Sequence, residues 1–175
     1  RKNIFGYRMM VWAIVAIGGI GFVVWAHHMY VSGMNPYFGF FFATTTLIIV
    51  GRTGLPVNNG KELIAWLKAN PDQATAATVG AGSGAHVCGI YFEQKTGTRF
   101  RYVPYKGGAP VMADLMANQV DLFCGEASQM LGHFKAGRIK PLVVMSKSRW
   151  RPLPEVPTME ETGASDTYIA FWQGM

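Results

Sequence analysis

Between Met9 and Gly51 the sequence has no Asp, Glu, Lys or Arg. All ten acidic residues and thirteen of the sixteen basic ones lie from Arg52 onward, so two unlike pieces share a chain of 175 residues with formal charge +6. Cysteine is scarce. Cys88 and Cys124 alone make neither a disulfide framework nor a zinc site, and buried free thiols are the preferred reading. No basic cluster is interleaved with aromatics, which removes the nucleic-acid class of partner. Arg99, Arg101 and Lys106 come nearest and read as a solvated face. A nucleophile constellation is also lacking. Ser83 stands in Gly82-Ser83-Gly84 rather than in a G-x-S-x-G elbow, and nothing places Asp121 beside His86, so a hydrolase is rejected. No Gly/Ser- or Pro-rich linker separates the two pieces near Val50 and Gly51. The chain begins at Arg1 without Met, which reads as a fragment in which no signal peptide can be recognised.

What the first piece has is apolar length. Met9 to Ala26 is an uncharged run of eighteen residues, enough for one membrane-spanning helix. Arg1, Lys2 and Arg8 precede it and predict a cytoplasmic N-terminus. A second apolar run, Tyr37 to Val50, is too short to cross a bilayer and reads as a truncated second helix. Between the runs stand His27 and His28. Neutral imidazoles suit copper or zinc, or the pair sits solvated at the membrane interface.

The second piece alternates strand and helix signals, which predicts an α/β fold with a doubly wound, mainly parallel sheet. Its strongest chemical signal is Ala76-Ala77-Thr78-Val79-Gly80-Ala81-Gly82-Ser83-Gly84-Ala85-His86, a strand, a glycine loop and a helix start. Glycines allow close backbone approach, and the first helical N–H groups have no intrahelical partner, so the stretch suits a carboxylate or a phosphate. Lys106-Gly107-Gly108-Ala109-Pro110 and Gly125-Glu126-Ala127-Ser128 follow later strands, and the fold brings all three loops to one sheet edge. Gly80-x-Gly82-x-x-Ala85 also fits a dinucleotide fingerprint. The expected acid after the second strand is absent from Val103-Pro104-Tyr105-Lys106, however, which leaves only an NADP-type variant open.

Two resemblances refine these readings. Val24-Trp25-Ala26-His27-His28-Met29-Tyr30, with Phe5-Gly6-Tyr7 and Ala43-Thr44-Thr45-Thr46-Leu47-Ile48-Ile49, resembles subunit I of the haem–copper terminal oxidases over roughly residues 1–49. That resemblance implies that His27 and His28 are copper ligands. The chain lacks the third copper histidine and the haem histidines, so oxygen reduction is not expected. Thr78 to His86, Phe100-Arg101-Tyr102-Val103-Pro104-Tyr105-Lys106-Gly107-Gly108, Lys135-Ala136-Gly137-Arg138-Ile139-Lys140-Pro141-Leu142 and Leu153-Pro154-Glu155-Val156-Pro157-Thr158 resemble the Bug family, the periplasmic solute receptors of tripartite tricarboxylate transporters. This second resemblance implies a type II periplasmic-binding-protein-like fold, of which the chain holds one lobe. Its implied ligand is a small organic acid or amide, and its implied partners are the transporter's membrane subunits.

The combined expectation is a membrane segment over 1–50 joined to a solute-binding lobe over 51–175, as if one reading frame joined two unrelated gene fragments. The ligand-binding candidates are Ser83, Gly84, Ala85, His86, Gly107, Gly108, Glu126 and Ser128, with no catalytic residue. An acidic Glu126 facing the cleft disfavours a second carboxylate and points to a monoacid, an amide or a cationic group. No cofactor is expected for the lobe, and copper and haem belong to the intact oxidase family. The lobe is expected in the periplasm, and membrane-associated if residues 9–26 insert. The competing readings are an oxidase fragment and an NADP-binding domain.

Overall fold

The run that ends the charge-free segment becomes the middle of a sheet. The protein was analysed as a computed structural model that describes residues 43–164 and 169–173. Strand β1 (Ala43–Arg52) pairs antiparallel with β4 (Leu122–Glu126) on one side and with β5 (Ile139–Val144) on the other. Its first residues, Ala43 to Thr46, pair antiparallel with β6 (Ala170–Gln173). On the far side of β4 lie β2 (Thr75–Thr78) and β3 (Arg101–Pro104), both parallel. The order is therefore β3-β2-β4-β1-β5, with β6 joined to β1.

This arrangement corrects two expectations. Residues 43–50, read as part of a truncated membrane helix, form a strand, because alternate residues enter separate cores. Leu47 and Ile49 join one cluster and Ile48 and Val50 the other. A strand covered on both faces is apolar at every position and so imitates a membrane run. The sheet is also mixed rather than mainly parallel, since its central strand runs against both neighbours. β1 passes without a break through the point between Val50 and Gly51 where the two pieces were expected to join. Among the described residues no helix is long and apolar enough to cross a membrane. Met9 to Ala26, His27 and His28 lie outside the described residues.

Helices cover both faces. On one side α1 (Gly60–Ala69) buries Leu63 and Leu67, and α2 (Gly84–Thr96) buries Cys88 and Phe92. On the other, α3 (Gly108–Met116) buries Val111 and Leu115, and α4 (Ala127–Lys135) buries Ala127 and Met130. The start of α1 is held by reciprocal bonds with Glu62. Asn59 Oδ1 accepts from the Glu62 N–H at 2.9 Å, and the Glu62 carboxylate accepts from the Asn58 N–H at 2.8 Å. Gly60 lets that start lie on β5, because a Cβ there would stand 2.8 Å from the Val143 Cβ.

The two cysteines are paired. A disulfide joins Cys88 in α2 to Cys124 in β4, which corrects the expectation of free thiols. Sequence separation gave no hint of it, because the contact is made only when α2 folds back over β4. At the other edge of the sheet, Asp121 ties three strands together. Its carboxylate accepts from Arg52 Nε at 2.7 Å, from the Thr75 N–H at 2.9 Å and from Thr75 Oγ1 at 2.8 Å. Burial acts to raise its pKa, but the bonds from Thr75 and Arg52 outweigh that and hold the carboxyl below its ordinary range.

Two outcomes follow for stability. Reducing the disulfide, whose cysteines are 36 residues apart, lowers the unfolding free energy by about 4 kcal/mol in the chain-entropy picture. Urea unfolding with and without reductant measures this, and coincident curves contradict it. Asp121 has a depressed folded-state pKa, so its contribution is complete above the unfolded carboxyl range and disappears as the pH falls through the folded value. Asp121→Asn therefore costs about 1–3 kcal/mol near neutral pH, and the gap from the parent closes in acid. A constant gap across that range counts against the cluster.

Candidate functional site

Because β2, β3 and β4 run parallel, the helices that follow them all begin at the same sheet edge. Their starts surround a cleft of about 860 Å³, within the range of small-ligand sites. Gly84 and Ala85 reach it from α2, Gly107, Gly108 and Ala109 from the start of α3, and Gly125 and Glu126 from the end of β4.

The backbone at these starts depends on glycine. Gly80, Gly82 and Gly107 have φ of +115°, +77° and +122°, where a side chain is strained. Gly108 is different. Its φ is ordinary for any residue, and a Cβ there meets nothing within 4 Å. Among the described residues no side chain caps α3 or α4, which leaves their first N–H groups suited to a ligand or to water.

Five of the eight expected binding residues line the cleft: Gly84, Ala85, Gly107, Gly108 and Glu126. The other three are placed differently. Ser83 is the N-cap of α2. Its Oγ donates to the Gly80 carbonyl at 2.7 Å and accepts from the His86 N–H at 3.3 Å. His86 shapes the same loop, with Nδ1 accepting from the Gly82 N–H at 3.1 Å and its ring meeting Tyr102 edge-on at 5.0 Å. Ser128 is exposed on α4 and lines no part of the cleft.

Neighbouring groups hold the loops in place. Tyr102 donates to Glu93 Oε2 at 2.8 Å and packs across Gly89, where a Cβ would stand 2.7 Å from the phenol oxygen. Burial first, then the bond and charge of Glu93, push the Tyr102 phenol far above its ordinary value, so it stays a neutral donor. Tyr105 donates its N–H to the Thr78 carbonyl at 2.8 Å and its hydroxyl to Asp114 at 2.7 Å, which fastens α3 to the turn that precedes it. Glu126 at the cleft accepts from Gln129 Nε2 at 2.7 Å.

Reading the sequence missed the apolar wall. Phe123, Met112, Met116 and Met130 line the cleft, with Gln129 and His133. Met112 and Met116 are only partly buried, whereas Val111 and Leu115 on the same helix are fully buried. The detectable signal was Ala109, Met112, Ala113 and Met116, a second helical stripe offset from the core stripe. Among the described residues no group of three or more His, Cys, Asp or Glu side chains could hold a metal ion.

Comparison with known proteins identifies the lineage. Residues 32–175 match the family described as the tripartite tricarboxylate transporter family receptor. The chain belongs to that family. It is 31% identical over 126 residues to protein BugT of Bordetella pertussis, covering 72% of this chain and 39% of that protein. The structure of the periplasmic binding protein BugD superposes with a TM-score of 0.73 at 34% identity, covering 77% of this chain and 45% of BugD. An R. palustris protein solved with adipate gives 0.71 at 30% identity, covering 80% and 48%. The chain thus spans less than half the length of these receptors. Its N-terminal part matches the alternative cytochrome c oxidase subunit 1 of Bradyrhizobium diazoefficiens, at 81% identity over 59 residues, 34% of this chain and 10% of that protein. The receptor and oxidase matches overlap, since their combined length exceeds the chain's.

Removing the Ser83 hydroxyl isolates the role of the loop. Ser83→Ala costs about 1 kcal/mol of stability, the usual value of an N-cap, measured by urea unfolding. A change below a few tenths contradicts the capping role.

Proposed function

We propose that the lobe binds a small organic carboxylate, as the ligand-holding part of a tripartite tricarboxylate transporter receptor. The observation that carries this reading is the convergence of three helix starts on one cleft, two of them without side-chain caps. Amides at Gly84, Ala85, Gly107 and Gly108 would receive the carboxylate, with the partial positive charge of each helix start adding to the attraction. Ser83 and His86 act one step back by fixing the loop that presents them. Adipate is bound by an R. palustris relative at 30% identity, which supports a carboxylate as the ligand class. By the same reading the lobe works in the periplasm beside the transporter's membrane subunits, as a binder without catalysis or cofactor.

A second reading rests on the 81% identity to an oxidase subunit. On it, residues 1–50 descend from an oxidase fragment and His27 and His28 keep affinity for copper. With two ligands and no haem histidines the segment would bind the metal without reducing oxygen.

Calorimetry on the whole chain with malate, adipate, octanoate, NADPH and copper separates these readings. At least one acid binds, NADPH does not, and Gly108→Val weakens the acid by about tenfold or more with the unfolding midpoint unchanged, because the new side chain occupies open space at the cleft. Tight NADPH binding with no response to acids defeats the carboxylate reading. Copper uptake lost in the His27→Ala/His28→Ala double variant supports the second.

A further inference from the structure

We infer that the ligand is an elongated monocarboxylate whose apolar tail lies between α3 and α4; this inference rests on the carboxylate reading above. Beyond the helix starts the cleft continues between the two helices. Met112, Ala113 and Met116 line it from α3, Met130 and His133 from α4, and Phe123 from β4. From Gly108 to Met116 the helix rises about 12 Å, which is the length of tail the groove takes. Met112 and Met116 are only partly buried, and Val79 at the cleft is 37% exposed, so the described residues leave apolar surface open here. Thioether side chains adapt to a flexible chain more readily than branched ones.

A second carboxylate has no good position. At the far end it would give up water among methionines, and no Lys or Arg is found among the described lining residues to receive it. His133 is the one titratable side chain there. Along the edge it would meet the Glu126 carboxylate. The geometry penalises a diacid at both ends and favours a methyl terminus.

Octanoate and suberate, eight-carbon chains that differ at one end, test this on the whole chain by calorimetry. Octanoate binds about tenfold or more tightly than suberate, malate or adipate, and Glu126→Gln narrows the octanoate-to-suberate ratio by about threefold. A diacid that equals or exceeds octanoate overturns the inference and leaves the carboxylate reading standing. An unchanged octanoate-to-suberate ratio in Glu126→Gln overturns the part assigned to that residue. Failure of every acid overturns both.

Discussion

The structure depends on a strand buried on both faces and running against its neighbours. β1 places Leu47 and Ile49 in one core and Ile48 and Val50 in the other, while hydrogen-bonding to β4 and β5. Without it the parallel trio β3-β2-β4 would lose its link to β5, and each helical layer would lose part of its floor. Asp121 reinforces the same junction, since it binds Arg52 at the end of β1 and Thr75 at the start of β2. The disulfide between Cys88 and Cys124 adds a covalent tie from α2 to β4.

The parallel trio then determines the chemistry. Parallel strands release their chains at one edge, so three helices start around a shared cleft, two of them without a side-chain cap among the described residues. Glycine at 80, 82 and 107 supplies the positive φ values that these turns demand. Ser83, His86, Tyr102 and Tyr105 spend their polar groups holding the loops rather than contacting the cleft. The division of labour is clear: backbone at the cleft mouth, hydroxyls and rings behind it, thioethers along the walls.

Much of this could be read in the sequence. The glycine loop and the alternation of strands and helices rest on local rules, and α2 ends at Gly97 in the left-handed conformation. Long-range facts could not be read that way. An apolar run such as Thr46-Leu47-Ile48-Ile49-Val50 looks the same whether lipid or two helical layers cover it, so β1 was taken for a membrane helix. Cys88 and Cys124 meet only through a tertiary contact, and the antiparallel insertion of β1 leaves no periodic trace. The oxidase-like and receptor-like matches also overlap, so similarity alone sets no boundary between the two pieces.

The central claim is that backbone amides at helix starts hold the ligand's acid group. Nitrogen-15 amide spectra of the whole chain, titrated in turn with malate, adipate and octanoate, address it most directly. Saturable shifts concentrated at Gly84, Ala85, Gly107 and Gly108 are expected. Saturable shifts confined to other residues, with these four amides unmoved, would contradict it.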